Sequence, residues 1–386
     1  MVNRSIKPLK SKSFFIFGAR GTGKSTWIRD HFKGSEMLYL DLLNLGLQDE
    51  LLLNPERFDQ LVNAKENLNK VVVIDEIQKL PRLLDRVHSL ITEKKRTFIL
   101  TGSSARKLKQ QEVNLLAGRA LVYHLYPLST LELGENFDLT KALERGGLPD
   151  AYLAASDEEA KEFLSAYVYT YLEKEIQQEQ WVRKIEPFRK FLAVAAQMNG
   201  KIINRASIAK EVGVDSMTIA SYYEILEDTL LGVPLPAYHQ SVRKAQKQAP
   251  KFYFIDTGIK RAVEKTTRVP LLPKTSAFGE AFEHWIFLEL YKQASYRRLD
   301  WSFSYLRTKD DLEIDLIVQR PGEKKLLIEI KSKDKVSEKD AKALETLGKD
   351  LDPKSERVIL SRDPLEQKFG GTQALYWRDA LTKWFK

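Results

Sequence analysis

The sequence predicts an α/β chain in three parts: a parallel-sheet module, a helical middle, and a second α/β domain. Three observations predict it. Short apolar runs alternate with helical stretches from Phe14 to Leu125. From about Thr130 to Leu235 the pattern is helical throughout most of its length. Beyond Lys274 the order becomes helix, three strands, helix, strand. The 386 residues suffice for two or three domains, each with its own buried core. The boundaries fall at 1–130, 131–255 and 256–386.

Composition narrows the class. Hydrophobic residues make up 43% and charged residues 30%, as in an ordinary water-exposed globular protein. No apolar run approaches the ~20 residues that span a bilayer, and the segment from Met1 to Lys12 has no secretion-signal core. With no cysteine, disulfides, cysteine-bound zinc, iron–sulfur clusters and thiol catalysis are excluded. A cytoplasmic site and no membrane partner are expected.

The first strand, Phe14-Phe15-Ile16-Phe17, runs into Gly18-Ala19-Arg20-Gly21-Thr22-Gly23-Lys24-Ser25, and a helix follows from Thr26. The pattern G-x-x-x-x-G-K-[ST] between strand and helix is a phosphate-binding loop. Its glycines let backbone N–H groups turn toward a triphosphate, and the helix N-terminus adds its positive dipole end. Gly18 to Thr26 form the predicted nucleotide contact, with Lys24 on the β/γ-phosphates and Ser25 on Mg²⁺. ATP or GTP is the expected ligand, ATP with Mg²⁺ being the working assignment.

Four further strands are predicted at Met37–Leu42, Val71–Asp75, Thr97–Thr101 and Ala120–Leu125. Helices between them imply a parallel sheet. Val71-Val72-Val73-Ile74 is apolar on both faces, so Asp75 and Glu76 emerge at the carboxyl edge beside the phosphate loop. Asp75 orients Mg²⁺; Glu76 polarises the attacking water as general base. Ser103 or Ser104, after the fourth strand, lies near the γ-phosphate, with Ser103 the chosen contact. Arg119, just before the fifth strand, is placed to reach a neighbouring subunit's nucleotide and stabilise transferring charge.

The loop, Val71–Glu76, Thr101–Ser104 and Leu115-Leu116-Ala117-Gly118-Arg119 resemble the AAA-type (AAA+, RecA-like) P-loop ATPase module. The chain is similar to a bacterial and archaeal ATPase family that joins such a module to a C-terminal domain of unknown function. Tyr126-Pro127-Leu128-Ser129, Gly146-Gly147-Leu148-Pro149 and Phe252-Tyr253-Phe254-Ile255-Asp256-Thr257-Gly258 match that family's markers. The resemblance implies ATP hydrolysis; the position of Arg119 points to a homo-oligomer, a ring of six.

In the middle region, Arg205 to Tyr222 reads as helix-turn-helix, with Gly213 at the turn and Asp215 capping the second helix. Strands around Leu230–Leu235 and Lys251–Phe254 complete a winged helix. Arg243, Lys244 and Lys247 make its wing basic. The second helix begins Ser-Met-Thr and carries no arginine, so the wing suits phosphate contact better than the helix suits base reading.

The C-terminal part holds Glu283 on a helix, Asp315 in the second strand, and Glu329-Ile330-Lys331 in the third. Glu329 and Lys331, two apart on a strand, share a face. This order and spacing resemble the PD-(D/E)xK nuclease fold. Glu283, Asp315 and Glu329 are then the metal ligands and Lys331 the catalytic lysine. The fold also serves without cleavage as a DNA-binding platform, and salt-bridged strands give the same residues a purely structural use.

Charge favours a polyanionic partner. Residues 1–236 carry 32 Lys+Arg against 31 Asp+Glu, a net of +1, whereas 237–386 carry 30 against 22, a net of +8. The leading reading is an ATPase acting on duplex or branched DNA, with a nuclease-like C-terminal domain. The other is a nucleotide-switched signalling or assembly ATPase whose C-terminal domain binds protein.

Overall fold

The computed structural model describes residues 2–104, 116–172, 182, 184–239 and 248–385. It divides into two compact units, Met1–Tyr126 with Asp228–Leu231, and Pro127–Glu227 with Gly232–Lys386. The predicted middle and last domains cluster together as one unit.

The first unit is a five-stranded sheet in the order β2-β3-β4-β1-β5. Its strands are β1 (Ser13–Phe17), β2 (Met37–Asp41), β3 (Val71–Asp75), β4 (Phe98–Gly102) and β5 (Ala120–His124). All pairings are parallel, as strands separated by helices require. Four helices, α1 (Lys24–His31), α2 (Leu45–Leu53), α3 (Glu56–Asn63) and α4 (Leu83–Lys94), lie between the first four strands. β1 and β4 are buried at every position and β3 at all but its first. Phe15, Ile74, Leu100 and Phe98 form the core with Phe58, Leu84 and Val87 from the helices. The outcome is positional: β3, β4 and β1 are neighbours, so the segments leaving their carboxyl ends converge at one edge.

The second unit contains a six-stranded sheet in the order β12-β13-β11-β10-β9-β8 and a two-stranded one, β6-β7. β6 (Gly232–Leu235) and β7 (Lys251–Phe254) pair antiparallel. The larger sheet is preceded by the helix Ser276–Tyr296. Next come β8 (Ser302–Arg307), β9 (Glu313–Gln319) and β10 (Leu326–Lys331), antiparallel in sequence. The helix Glu338–Leu351 then leads to β11 (Glu356–Ser361), parallel to β10. These match the predicted elements in order and, within a few residues, in extent. Sequence analysis did not anticipate β12 (Gln367–Phe369), β13 (Thr372–Tyr376) or the helix Trp377–Trp384. Segment 236–238 borders β8, with Tyr238 N–H donating to Tyr305 O at 2.6 Å and Tyr305 N–H to Pro236 O at 3.0 Å. That pairing covers an otherwise open sheet edge.

Two helices, Arg205–Val212 and Ser216–Asp228, occupy the segment read as helix-turn-helix. Gly213 takes φ +82° at the turn, where an L side chain would be strained. Asp215 Oδ1 accepts the N–H groups of Met217 and Thr218, both at 2.8 Å. Ala209 and Ile219 are buried between them, and Val214 partly so. Arg243, Lys244 and Lys247 of the predicted wing lie outside the described residues.

The marker segments with no assigned chemistry meet in space. Leu128 N–H donates to Gly147 O at 2.6 Å, and Gly147 N–H to Asp256 Oδ2 at 2.6 Å. Asp256 Oδ1 caps the helix Thr257–Val263 through Ile259 N–H at 2.9 Å. A Cβ on Gly258 would sit 2.1 Å from Arg145 O, which fixes glycine there. Gln293 Nε2 donates to Ser129 Oγ at 3.0 Å, and Thr130 N–H to Glu289 Oε2 at 2.8 Å. These motifs hold the second unit together.

Candidate functional site

The phosphate loop leaves β1 at Gly18, where a Cβ would lie 2.3 Å from Leu125 O. Gly21 and Gly23 take φ of +78° and +88°, so both need glycine's freedom. Gly23 then caps α1, whose first residues are Lys24, Ser25 and Thr26. Thr22 Oγ1 donates to Ala19 O at 2.8 Å and stiffens the loop. Lys24 Nζ donates to Gly18 O at 2.8 Å and to Ala19 O at 3.3 Å. The ammonium is thus held in the loop's concavity, almost wholly buried.

Asp75 is the hub of the opposite wall. Its Oδ2 accepts from Ser25 Oγ at 2.7 Å and from the Tyr39 hydroxyl, and its Oδ1 accepts from Thr101 Oγ1. Burial and the Asp75 carboxylate push the Tyr39 phenol well above its usual range, so it stays a proton donor. Ser25 and Asp75, brought together by this bond, fit a Mg²⁺ ion, which takes oxygen donors and pairs with substrate phosphates. Held there, a Mg²⁺ ion would supply charge neutralisation for a bound nucleotide's phosphates.

Glu76 occupies the left-handed region at φ +60°, rare for a residue with a side chain. Its N–H donates to Thr101 Oγ1 at 3.0 Å, so β4 holds the turn from the neighbouring strand. Its carboxylate Oε2 accepts from Gln78 Nε2 and from Ser103 Oγ at 3.4 Å. Gln78 Nε2 also donates to Ser103 Oγ at 3.0 Å. Of the two serines left open by the sequence, Ser104 hydrogen-bonds away, to Asp228 O at 3.1 Å. Ser103 faces Glu76. Arg119 is exposed at the start of β5, and the helix predicted before it falls largely outside the described residues.

The second predicted constellation also assembles, with an addition the sequence did not reveal. Lys331 Nζ pairs with Glu329 Oε1 at 2.5 Å, and Asp315 Oδ2 accepts Ile330 N–H at 2.7 Å. Glu283 Oε1 accepts the Tyr253 hydroxyl at 2.8 Å. The buried Lys251 ammonium lies 2.5 Å from Glu313 Oε1 and 3.7 Å from Glu283 Oε1. Burial, reinforced by Glu329 and Glu283, raises Asp315 well above the usual carboxylate range; burial raises Glu329 as well. Among the described residues no three acidic or histidine side chains are arranged to hold a metal ion. Lys251 and Lys331 are two ammonium groups among four carboxylates, and Glu329 Oε2 is buried with no hydrogen-bond partner among the described residues.

With this geometry established, comparisons with known proteins become informative. Residues 10–134 match the family described as "AAA domain". The first unit is thus similar to AAA domains over nearly its whole length. Residues 136–269 and 278–379 match two families described as domains of unknown function, DUF8612 and DUF4143. Uncharacterized proteins of Mycobacterium tuberculosis and Mycobacterium bovis are each 25% identical over 309 residues, covering 80% of this chain and 67% of theirs. An uncharacterized protein of Haemophilus influenzae is 24% identical, covering 80% of both chains. Among solved structures, a signal transduction ATPase with numerous domains (STAND) from Pyrococcus horikoshii, bearing a tetratricopeptide repeat sensor, is 13% identical. The match has a TM-score of 0.21 and covers 72% of this chain and 46% of that one. No helix among the described residues is long and apolar enough to cross a membrane.

Sequence reasoning missed Tyr39, Thr101 and Gln78 in the first unit, and Lys251 with Glu313 in the second. Tyr39 and Thr101 were present in predicted strands, but only pairing of β2 and β4 with β3 brings them onto Asp75. Gln78 did carry a signal: a neutral polar residue two positions past the acidic pair, between Ile77 and Lys79.

Proposed function

We propose that the protein hydrolyses ATP in its first unit and engages duplex or branched DNA through its basic C-terminal part, without cutting it. The observation that carries hydrolysis is the convergence of Lys24, Ser25, Asp75 and Glu76 at one sheet edge. Each has a role no structural purpose requires: phosphate contact, metal contact, metal orientation and water activation. DNA engagement is supported by the net +8 of residues 237–386. Lys335, Lys339, Lys342 and Lys349 stand exposed on and just before the helix Glu338–Leu351, in keeping with phosphate contact. The predicted winged helix belongs to the same reading, as a second contact with the duplex backbone.

Non-cleavage is supported by the arrangement of the same cluster: among the described residues, no three of its acids are placed to hold a metal ion. Duplex affinity should fall steeply with salt, the logarithmic slope being about −0.9 per phosphate contacted. Lys339→Glu with Lys342→Glu should flatten that slope. Branched DNA incubated with Mn²⁺ should give the same trace for wild type and Asp315→Asn. Salt-independent affinity removes the DNA reading, and cutting lost only in Asp315→Asn restores the nuclease.

The ring form is part of this proposal. Exposed Arg119 stabilises charge on a neighbour's nucleotide, so Arg119→Ala should lose turnover and keep nucleotide affinity. Light scattering with ATP should show an oligomer, a hexamer in the ring form. A monomer that hydrolyses ATP at the full rate contradicts it.

A further inference from the structure

Gln78 sits in the short turn Ile77–Lys79 behind the acidic pair and is 4% exposed. Its amide is polarised toward the site. Nε2 donates to Glu76 Oε2 and, at 3.0 Å, to Ser103 Oγ, while Ser103 Oγ donates to the same Glu76 oxygen at 3.4 Å. Amide, hydroxyl and carboxylate close a triangle. The orientation of the amide is set by chemistry: flipped, its oxygen would face a carboxylate, acceptor against acceptor.

The other end of the amide has no partner among the described residues: Gln78 Oε1 is buried and accepts no hydrogen bond from them. A Cβ on Gly102 would lie 2.7 Å from it, so the glycine at the end of β4 leaves room for this oxygen. A buried acceptor without a donor opposes folding, and a methionine of similar length would fill the space without that cost. Stability alone therefore does not select glutamine here.

We infer that Gln78 is a positioning residue for ATP hydrolysis: it fixes the Glu76 carboxylate and ties it to Ser103. Resting on the ATPase reading above, this gives Ser103 a second task. A γ-phosphate contacting Ser103 shifts the hydroxyl that Glu76 and Gln78 share, so the base is set only when ATP is present. The left-handed backbone of Glu76, held by Thr101 Oγ1, leaves the side chain as the part free to respond.

The test is Gln78→Met in the full chain. Turnover should fall about 10- to 100-fold, the scale of a small misplacement of a catalytic group. KM and the affinity for a non-hydrolysable ATP analogue should stay within about twofold, since no ground-state contact is removed. The melting temperature should be unchanged or higher. Ser103→Ala added to Gln78→Met should cost less than the product of the two separate losses, because both act through Glu76. Full turnover in Gln78→Met overturns the positioning role, as does a loss of turnover, affinity and melting temperature together. Glu76→Gln separates the two readings. If it hydrolyses ATP at the wild-type rate, the assignment of Glu76 itself fails; if only Gln78→Met is silent, the inference alone fails.

Discussion

Glu76→Gln should bind ATP as wild type does and hydrolyse almost none of it. The substitution keeps size and hydrogen-bonding capacity but removes the group able to take a proton from water. Such a loss costs about 10²–10⁴-fold in rate. Binding is spared because nucleotide contact belongs to other residues. The loop from Gly18 to Thr26 supplies the phosphate cradle, and Asp75 with Ser25 supplies the metal contact. Lys24→Ala should show the opposite pattern, with affinity lost first, since its buried ammonium is the charge inside the loop. Phosphate release and titration with a fluorescent ATP analogue distinguish the two patterns. Undiminished phosphate release from Glu76→Gln would assign water activation elsewhere.

The second large effect concerns stability. Asp256→Ala should lower the melting temperature sharply and leave a chain prone to unfold. Asp256 is 2% exposed and accepts two N–H groups, from Gly147 at 2.6 Å and Ile259 at 2.9 Å. Alanine strands both donors, at about 1–3 kcal/mol each, and opens space beside Gly146, which takes φ +75° against the aspartate. Burial raises the Asp256 carboxyl above its usual range, and the Gly147 and Ile259 donors, with the Lys292 charge and the Gly258 backbone, oppose that rise. Asp256→Asn keeps one acceptor and should lose less. Thermal melts of the three proteins decide the matter, and equal melting temperatures would show that the marker motifs do not fasten the second unit.

Much of this was legible in the sequence. The apolar run Val71–Asp75 and the loop before Lys24 place a buried strand and a phosphate site with little ambiguity, because both depend on local chemistry. Gly213 and Asp215 likewise announce their turn and cap. What the sequence withheld depends on neighbours distant along the chain. Thr101 meets Asp75 only because β4 lies beside β3. Lys251 meets Glu283 and Glu313 from strand β7, well outside the nuclease-like spacing, and so adds a cation beside the three acids that the spacing presents as metal ligands. β12, β13 and the helix Trp377–Trp384 were missed for a different reason. Their elements are short, and Gly370-Gly371 with Pro364 reads as loop.

The most direct test of the account is ATP turnover by the full chain, measured alone and with duplex, single-stranded and four-way-junction DNA at rising salt. The account predicts that duplex or junction DNA changes the rate, that the effect fades as salt screens phosphate contacts, and that Glu76→Gln is silent throughout. A rate indifferent to every DNA at low salt, with hydrolysis intact, would contradict DNA engagement and leave an ATPase that answers to another partner.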